Sequence, residues 1–144
     1  MAGTEQNKAT ISRFWEEVFN ARNLDAIDSL FTTGYLHHGL DGQEMQGREN
    51  LRRSLNMYFK AFPDIHATVE DIIAEGDQVV SRATYRGTHQ GELMGVGPTG
   101  KQVSITILCV SRFVGERIAE GWGEQFDLSG IMLQLGVTPP PAQK

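Results

Sequence analysis

The sequence predicts an α+β domain, with helices first and a curved antiparallel sheet after them. Three observations predict it. Apolar residues recur at helical spacing from the N-terminus to Phe62. After Pro63 the period changes to two, as Ile65, Ala67 and Val69 alternate with polar residues. The strands that follow are joined by short turns such as Glu75-Gly76-Asp77 and Val114-Gly115-Glu116-Arg117, which make hairpins. Helices that precede such a sheet pack on one of its faces. A long, curved sheet folded over helices leaves a cavity between the layers, and that cavity is the default ligand site.

The first helix is expected from about Glu5 to Asn20, with Thr4 as its cap and Ile11, Phe14, Trp15, Val18 and Phe19 as its apolar stripe. These aromatics pack the core, and Phe14 and Trp15 are also candidates to line a pocket. Asn23 caps a second helix carrying Leu24, Ile27, Leu30 and Phe31 on one face, which Thr32-Thr33-Gly34 ends. Tyr35-Leu36-His37-His38 reads as a short strand or extended loop. Its two histidines point to opposite faces, so only one can face an interior. Gly39–Gly47 is a polar loop. A third helix runs from about Arg48 to Ala61 with Leu51, Leu55, Tyr58 and Phe62 as its stripe, and Met57 and Phe59 beside it. Pro63 stops it, because the residue before a proline disfavours the helical conformation.

The first long strand extends to about Ala74 and the second covers Gln78–Gln90. Odd positions Val79, Ser81, Ala83, Tyr85, Gly87 and His89 form its buried face. Gly91–Gly100 is a Gly/Pro-rich connection, with a helical turn expected at its start. Lys101–Val114 is apolar on both faces, which suits a central strand. Ile118–Phe126 is the last strand, and Leu128–Leu135 is a closing helix capped by Asp127. Residues 1–144 form one domain, with 137–144 as a loose tail.

Composition narrows the function. A net charge of −5 without a Lys/Arg run argues against nucleic-acid or anionic-membrane partners. No apolar run approaches the length of a membrane span, and the N-terminus lacks the apolar stretch of a signal peptide. The single cysteine, Cys109, leaves no intrachain disulfide and suits a reducing cytosol. No nucleotide loop, Ser–His–Asp order or metal-spaced cluster is present, so neither cofactor nor metal is expected. The remaining chemistry is a pocket with carboxylates and imidazoles. Glu124, beside Trp122 and Phe126, is the first candidate, since burial against aromatics raises a carboxyl pKa toward neutrality. Glu120 shares its face and pairs most simply with an arginine of a neighbouring strand. For His89, at the end of an inner face, two roles are open: polarising a substrate carbonyl or bonding the loop that follows. Cys109 shares its odd face with Ile105 and Ile107 and reads as a buried thiol. Met57 and Met94 read as apolar lining.

Several pieces then coincide. The order of elements, Thr88-His89-Gln90-Gly91 through Met94-Gly95 to Pro98-Thr99-Gly100, and the ending Asp127-Leu128-Ser129-Gly130…Gln134-Leu135-Gly136 resemble the SnoaL-like polyketide cyclase family, part of the NTF2-like superfamily. The resemblance spans about Ile11 to Gly136. It implies a sheet wrapped by helices as a cone (an α+β barrel) with the pocket inside, a homodimer or homotetramer, and cofactor-independent acid/base chemistry on a hydrophobic carbonyl-bearing small molecule. In the cyclases an aspartate on the last strand is the acid/base. Counting back from Asp127 puts that position at Glu124, whereas counting forward from the hairpin puts it at Gly123. One extra residue lies between Trp122 and Asp127, and a bulge could absorb it. The cyclases' pocket histidine falls at Cys109, His89 is retained, and His37 falls at a polar pocket position. The expected catalytic set is thus Glu124, His89 and His37, with Phe14, Trp15, Tyr35, Met57, Met94, Ile107, Cys109 and Trp122 around the substrate. A non-catalytic binding protein and a hydroxylase-like relative are the alternatives.

Overall fold

The computed structural model describes residues 3–39, 44–93, 95–125 and 128–136, the side chains of residues 124, 125 and 128–130 excepted. Helix α1 (Thr4–Arg13) continues without a break into a π-helical stretch, Phe14–Asn20. Gly3 rather than Thr4 is the N-cap, and no side chain caps the helix. The wider π turn keeps Trp15, Val18 and Phe19 on the buried side.

The expected second helix is shorter than its apolar spacing suggests. It comprises one 3₁₀ turn, Leu24–Ala26, and α2 (Ile27–Leu30), and the side chain of Asn23 makes no capping bond. At Phe31 the chain is already extended, and β1 runs Phe31–His38. Phe31 is buried in either conformation, so its hydrophobicity does not distinguish a helix from a strand. Pairing with the last strand decides for the latter. The polar loop contains a short strand, β2 (Glu44–Gln46), and α3 then occupies Arg48–Ala61 as its stripe predicts.

Strands β3 (His66–Glu75), β4 (Gln78–Thr88), β5 (Gln102–Val114) and β6 (Arg117–Gln125) form an antiparallel run. The sheet has the order β2-β1-β6-β5-β4-β3. Because β1 lies parallel to β6, the sheet is mixed and not purely antiparallel. β5 is central, as expected, but only its odd face is buried; Leu108 on the even face is 44% exposed. On β4 the odd positions Val79, Ser81, Ala83 and Tyr85 are buried.

The connection after β4 contains no helical turn among its described residues. It is closed by a bridge between Leu93 and Val96, and by bonds from the Gln90 and Gly91 amides to the Ala61 carbonyl. A Cβ on Gly91 would collide with the Lys60 carbonyl, so only glycine lets this loop lie against the end of α3. Helix α4 (Leu128–Leu135) packs on β5, with Gln134 bonding both the amide and the carbonyl of Ser104. The core lies between the concave sheet face and the helices, around Trp15, Phe19, Tyr85 and Ile107.

Candidate functional site

A cavity of ≈ 70 Å³ opens between the helices and the concave face at the β1–β6–β5 side. Ile11, Phe14 and Trp15 wall it from the first helix, and Leu51, Ser54 and Leu55 from α3. Phe31, Tyr35 and His37 enter from β1, Ser81 and Tyr85 from β4, and Cys109 and Ser111 from β5. Ile118, Gly121 and Gly123 complete it from β6. The lining is mostly apolar with a few polar groups, the usual composition of a small-molecule site.

Strand alternation explains how those groups arrive. Tyr35 and His37 are two apart on β1 and share its inner face. The Tyr35 hydroxyl lies 3.1 Å from His37 Nδ1. His38 turns to the other face, where its ring stacks on Trp122 and its Nε2 donates to Glu120 at 2.6 Å. The split of the two histidines is therefore as expected. Glu120 also accepts from Arg112 Nε at 2.8 Å. The bond from His38, then the one from Arg112, holds the Glu120 carboxyl below the ordinary carboxylate range. This is the ion pair that the sequence suggests, and it keeps Glu120 out of the cavity. Trp122 belongs to the cavity wall, yet its ring lies over His38 on the outer side.

Burial pushes the His37 imidazole below the ordinary histidine range, and the adjacent His38 adds to the shift. A desolvated imidazole is neutral at physiological pH and can act as a hydrogen-bond donor or a base.

Two glycines of β6 make room for this arrangement. A Cβ at Gly121 would collide with the Tyr35 hydroxyl and lie 3.5 Å from His37 Nδ1. A Cβ at Gly123 would lie 3.1 Å from Cys109 Sγ. Gly123 pairs with Cys109, while Leu108, the next residue along β5, pairs with Gln125. The extra residue is thus absorbed by a bulge at Glu124, and Gly123 takes the position facing the cavity. The side chain of Glu124 lies outside the described residues, as do Asp127 and Met94.

His89 is fully buried but is not part of the cavity wall. Its Nδ1 accepts the Thr99 amide at 3.2 Å and lies 3.0 Å from the Thr99 hydroxyl, so it ties together the two ends of the β4–β5 connection. Of its two open roles, the structure shows the bond to the loop. Met57 is 45% exposed on α3 and is not in this cavity's wall, because it falls off the helix stripe that faces the sheet. Ile107 is completely buried and sits in the core beside the cavity, outside its wall. Phe14, Trp15, Tyr35 and Cys109 are in the cavity wall. Ser81, Ser111 and Gly121 are the polar or space-making residues that the sequence reading passed over. Ser81 carried a signal: it is the polar residue among the apolar ones on a face predicted to be buried, and it accepts the Trp15 Nε1–H at 3.3 Å.

These elements make an α+β domain in which helices and a concave sheet enclose an apolar cavity with a few converging polar groups. The chain belongs to the SnoaL-like polyketide cyclase family, whose pattern matches residues 9–135. Among solved structures, a proposed SnoaL-like polyketide cyclase from Jannaschia sp. CCS1 is 25% identical, with a TM-score of 0.87 over 96% of this chain and 98% of that one. IdmH from Streptomyces antibioticus, a proposed polyketide cyclase, is 34% identical, with a TM-score of 0.80 over 92% and 99%. AclR from Streptomyces galilaeus, a proposed hydroxylase, is 29% identical, with a TM-score of 0.83 over 98% and 87%. No functionally curated protein matches the sequence. Among the described residues, no helix is long and apolar enough to cross a membrane.

Proposed function

We propose that the protein is a cofactor-independent acid/base enzyme that acts on a hydrophobic small molecule bearing carbonyl groups, by aldol-type ring closure or isomerisation. The observation that carries this reading is the Tyr35–His37 pair in an apolar wall, with an imidazole held in its neutral form. With the Tyr35 hydroxyl donating to Nδ1, His37 carries its proton on Nε2 and offers it to a substrate carbonyl oxygen. Gly123 takes the inward position of β6, so the base is assigned to the bulged residue next to it, Glu124, which removes a proton from the carbon next to that carbonyl. The electron pair moves onto the oxygen, against the His37 donor. The resulting enolate carbon then attacks a second carbonyl of the same molecule, or is reprotonated at another position, and Glu124 returns the proton. Membership of the cyclase family and likeness to IdmH support this chemistry. The reading extends to a homo-oligomer working in the cytosol.

The test is α-proton exchange of a phenyl 1,3-diketone in D₂O, followed by NMR. His37→Gln should slow exchange by about 10²-fold or more, the scale of losing one donor at a developing oxyanion. Glu124→Gln should abolish it with the fold intact. Full exchange in both variants would sink the assignment; loss in His37→Gln alone would make His37 the base.

A second reading is a non-catalytic binding protein. It is favoured by Gly123 and Cys109, which stand together at the inward positions where the resembling cyclases carry an acid and a histidine. It predicts tight binding of the diketone with no exchange above buffer. Likeness to AclR supports a third, oxygen-dependent hydroxylation, which oxygen uptake would report.

A further inference from the structure

The concave face holds a second, smaller cavity of ≈ 20 Å³, walled by Tyr58, Phe62, Leu93, Val103, Ile105 and Ile131, and by Tyr85. Tyr85 belongs to the walls of both cavities. The two lie in line along the same strands. On β4 the inward positions pass from Ser81 in the first wall, through Ala83 and Tyr85, to Gly87 in the second. On β5 they pass from Ser111 and Cys109 in the first, through Ile107, to Ile105 and Val103 in the second. Gly87 lies six residue steps along the strand from Ser81, about 20 Å.

Between the cavities, Ala83 and Ile107 are completely buried, and the Tyr85 ring is fixed by aromatic neighbours from both sides. It stacks on Phe19 at 4.8 Å, and meets Trp15 of the first wall edge-on at 5.9 Å and Tyr58 of the second at 6.2 Å. The polar groups His37, Ser81 and Ser111 are all at the first cavity. The second is apolar apart from its tyrosines.

We propose that Tyr85 is the specificity-determining partition of one two-compartment channel. A ligand whose carbonyl end is held at His37 ends at the Tyr85 ring, so the protein takes compact carbonyl compounds and rejects those with long apolar tails. The second cavity is the room that such a tail would fill if residue 85 were shorter. This rests on the reading of the first cavity as the ligand site, but it does not require turnover.

The experiment is equilibrium binding of phenyl n-alkyl ketones, from acetophenone to decanophenone, followed by tryptophan fluorescence, since Trp15 is in the first wall. In the wild type, affinity should rise by about fourfold per methylene while the chain still fits the first cavity. It should then fall by at least about tenfold once the tail meets Tyr85. Tyr85→Leu should move that limit to longer chains, and adding Val103→Phe, which plugs the second cavity one inward position beyond the Tyr85–Ile105 pair, should move it back. Val103→Phe alone should leave the wild-type profile unchanged. Tyr85→Met, closer in volume, serves where Tyr85→Leu does not fold by circular dichroism. The same chain-length limit in the wild type and in a folded position-85 variant would overturn the partition, as would a wild type with no limit. Failure of every ketone to bind any of the proteins would overturn the ligand site itself, and with it the proposed function.

Discussion

Tyr35, His37 and Gly121 form a unit in which each residue depends on the others. Gly121 is small because the Tyr35 hydroxyl occupies the space where its Cβ would be, and that hydroxyl orients His37 through Nδ1. Gly121→Ala should therefore destabilise the protein by roughly 1–3 kcal/mol, the cost of overpacking a filled site. Tyr35→Phe removes the oxygen that the new methyl meets, so the double variant should recover most of the loss. Urea denaturation of the four proteins measures the coupling, and simple additivity would refute the contact. The same unit predicts a pH dependence. Because burial lowers the His37 pKa below its ordinary value of 6.5, the folded state binds fewer protons than the unfolded state just below that pH. The associated stability is fully present above pH 6.5 and is lost as pH falls through the depressed value. Glu120, lowered from 4.5, contributes in the same direction but in a more acidic window. Thermal melts of His37→Gln should accordingly lose less stability than the wild type between neutral and mildly acidic pH. An identical acid profile would show that His37 is not the titrating group.

At the scale of elements, the first helix is fastened to the edge of the sheet by its last residue. Asn20 donates through Nδ2 to the Ala67 carbonyl at 2.9 Å and accepts the Ala67 amide through Oδ1 at 2.8 Å. It thereby pairs with edge strand β3 as a further strand would. Arg22 reinforces the joint from a left-handed backbone conformation (φ 63°), donating to the carbonyls of Phe19, Pro63 and Ile65 and lying 4.2 Å over the Phe59 ring. Asn20→Ala leaves both Ala67 peptide groups without these partners and should cost about 1–3 kcal/mol. Hydrogen exchange at the Ala67 amide should accelerate with it; unchanged protection would place the joint elsewhere. Such links were not legible in the sequence, because they connect residues 47 positions apart through polar groups that carry no periodic signal. Helix α3 and the four long strands were legible, since their apolar runs are long enough to show through the bulges that shift the register of β3 after Val69 and of β6 after Gly123. β1 was half legible. Tyr35–His38 looks extended, but its partner, β6, lies about 80 residues away and is parallel to it. Without that partner Phe31 fits a helix equally well.

For the whole molecule, the α+β layering follows from local patterns, whereas the cavity depends on which residues of remote strands face one another. That is why the Gly123–Glu124 register stayed open until the pairing of β5 with β6 placed Gly123 against Cys109. It is also why His89, on a correctly predicted inner face, proves to lie beyond the cavity. The same alternation that fills the concave face leaves apolar groups on the convex one. Leu108 and Val110 succeed each other on the outer side of β5, and Val110 pairs with Trp122, whose ring covers His38. Leu108 is 44% exposed. An apolar row at the centre of a sheet, flanked by the Arg112–Glu120 pair, has the makeup of an interface core with a charged rim. We expect two copies to meet on this face, so that the protein sediments as a dimer. Leu108→Arg should shift it to monomer in sedimentation velocity while leaving ketone binding intact, because residue 108 faces away from the cavity. A wild type that sediments as a monomer at micromolar concentration, or a dimer indifferent to the substitution, would remove the convex face from consideration.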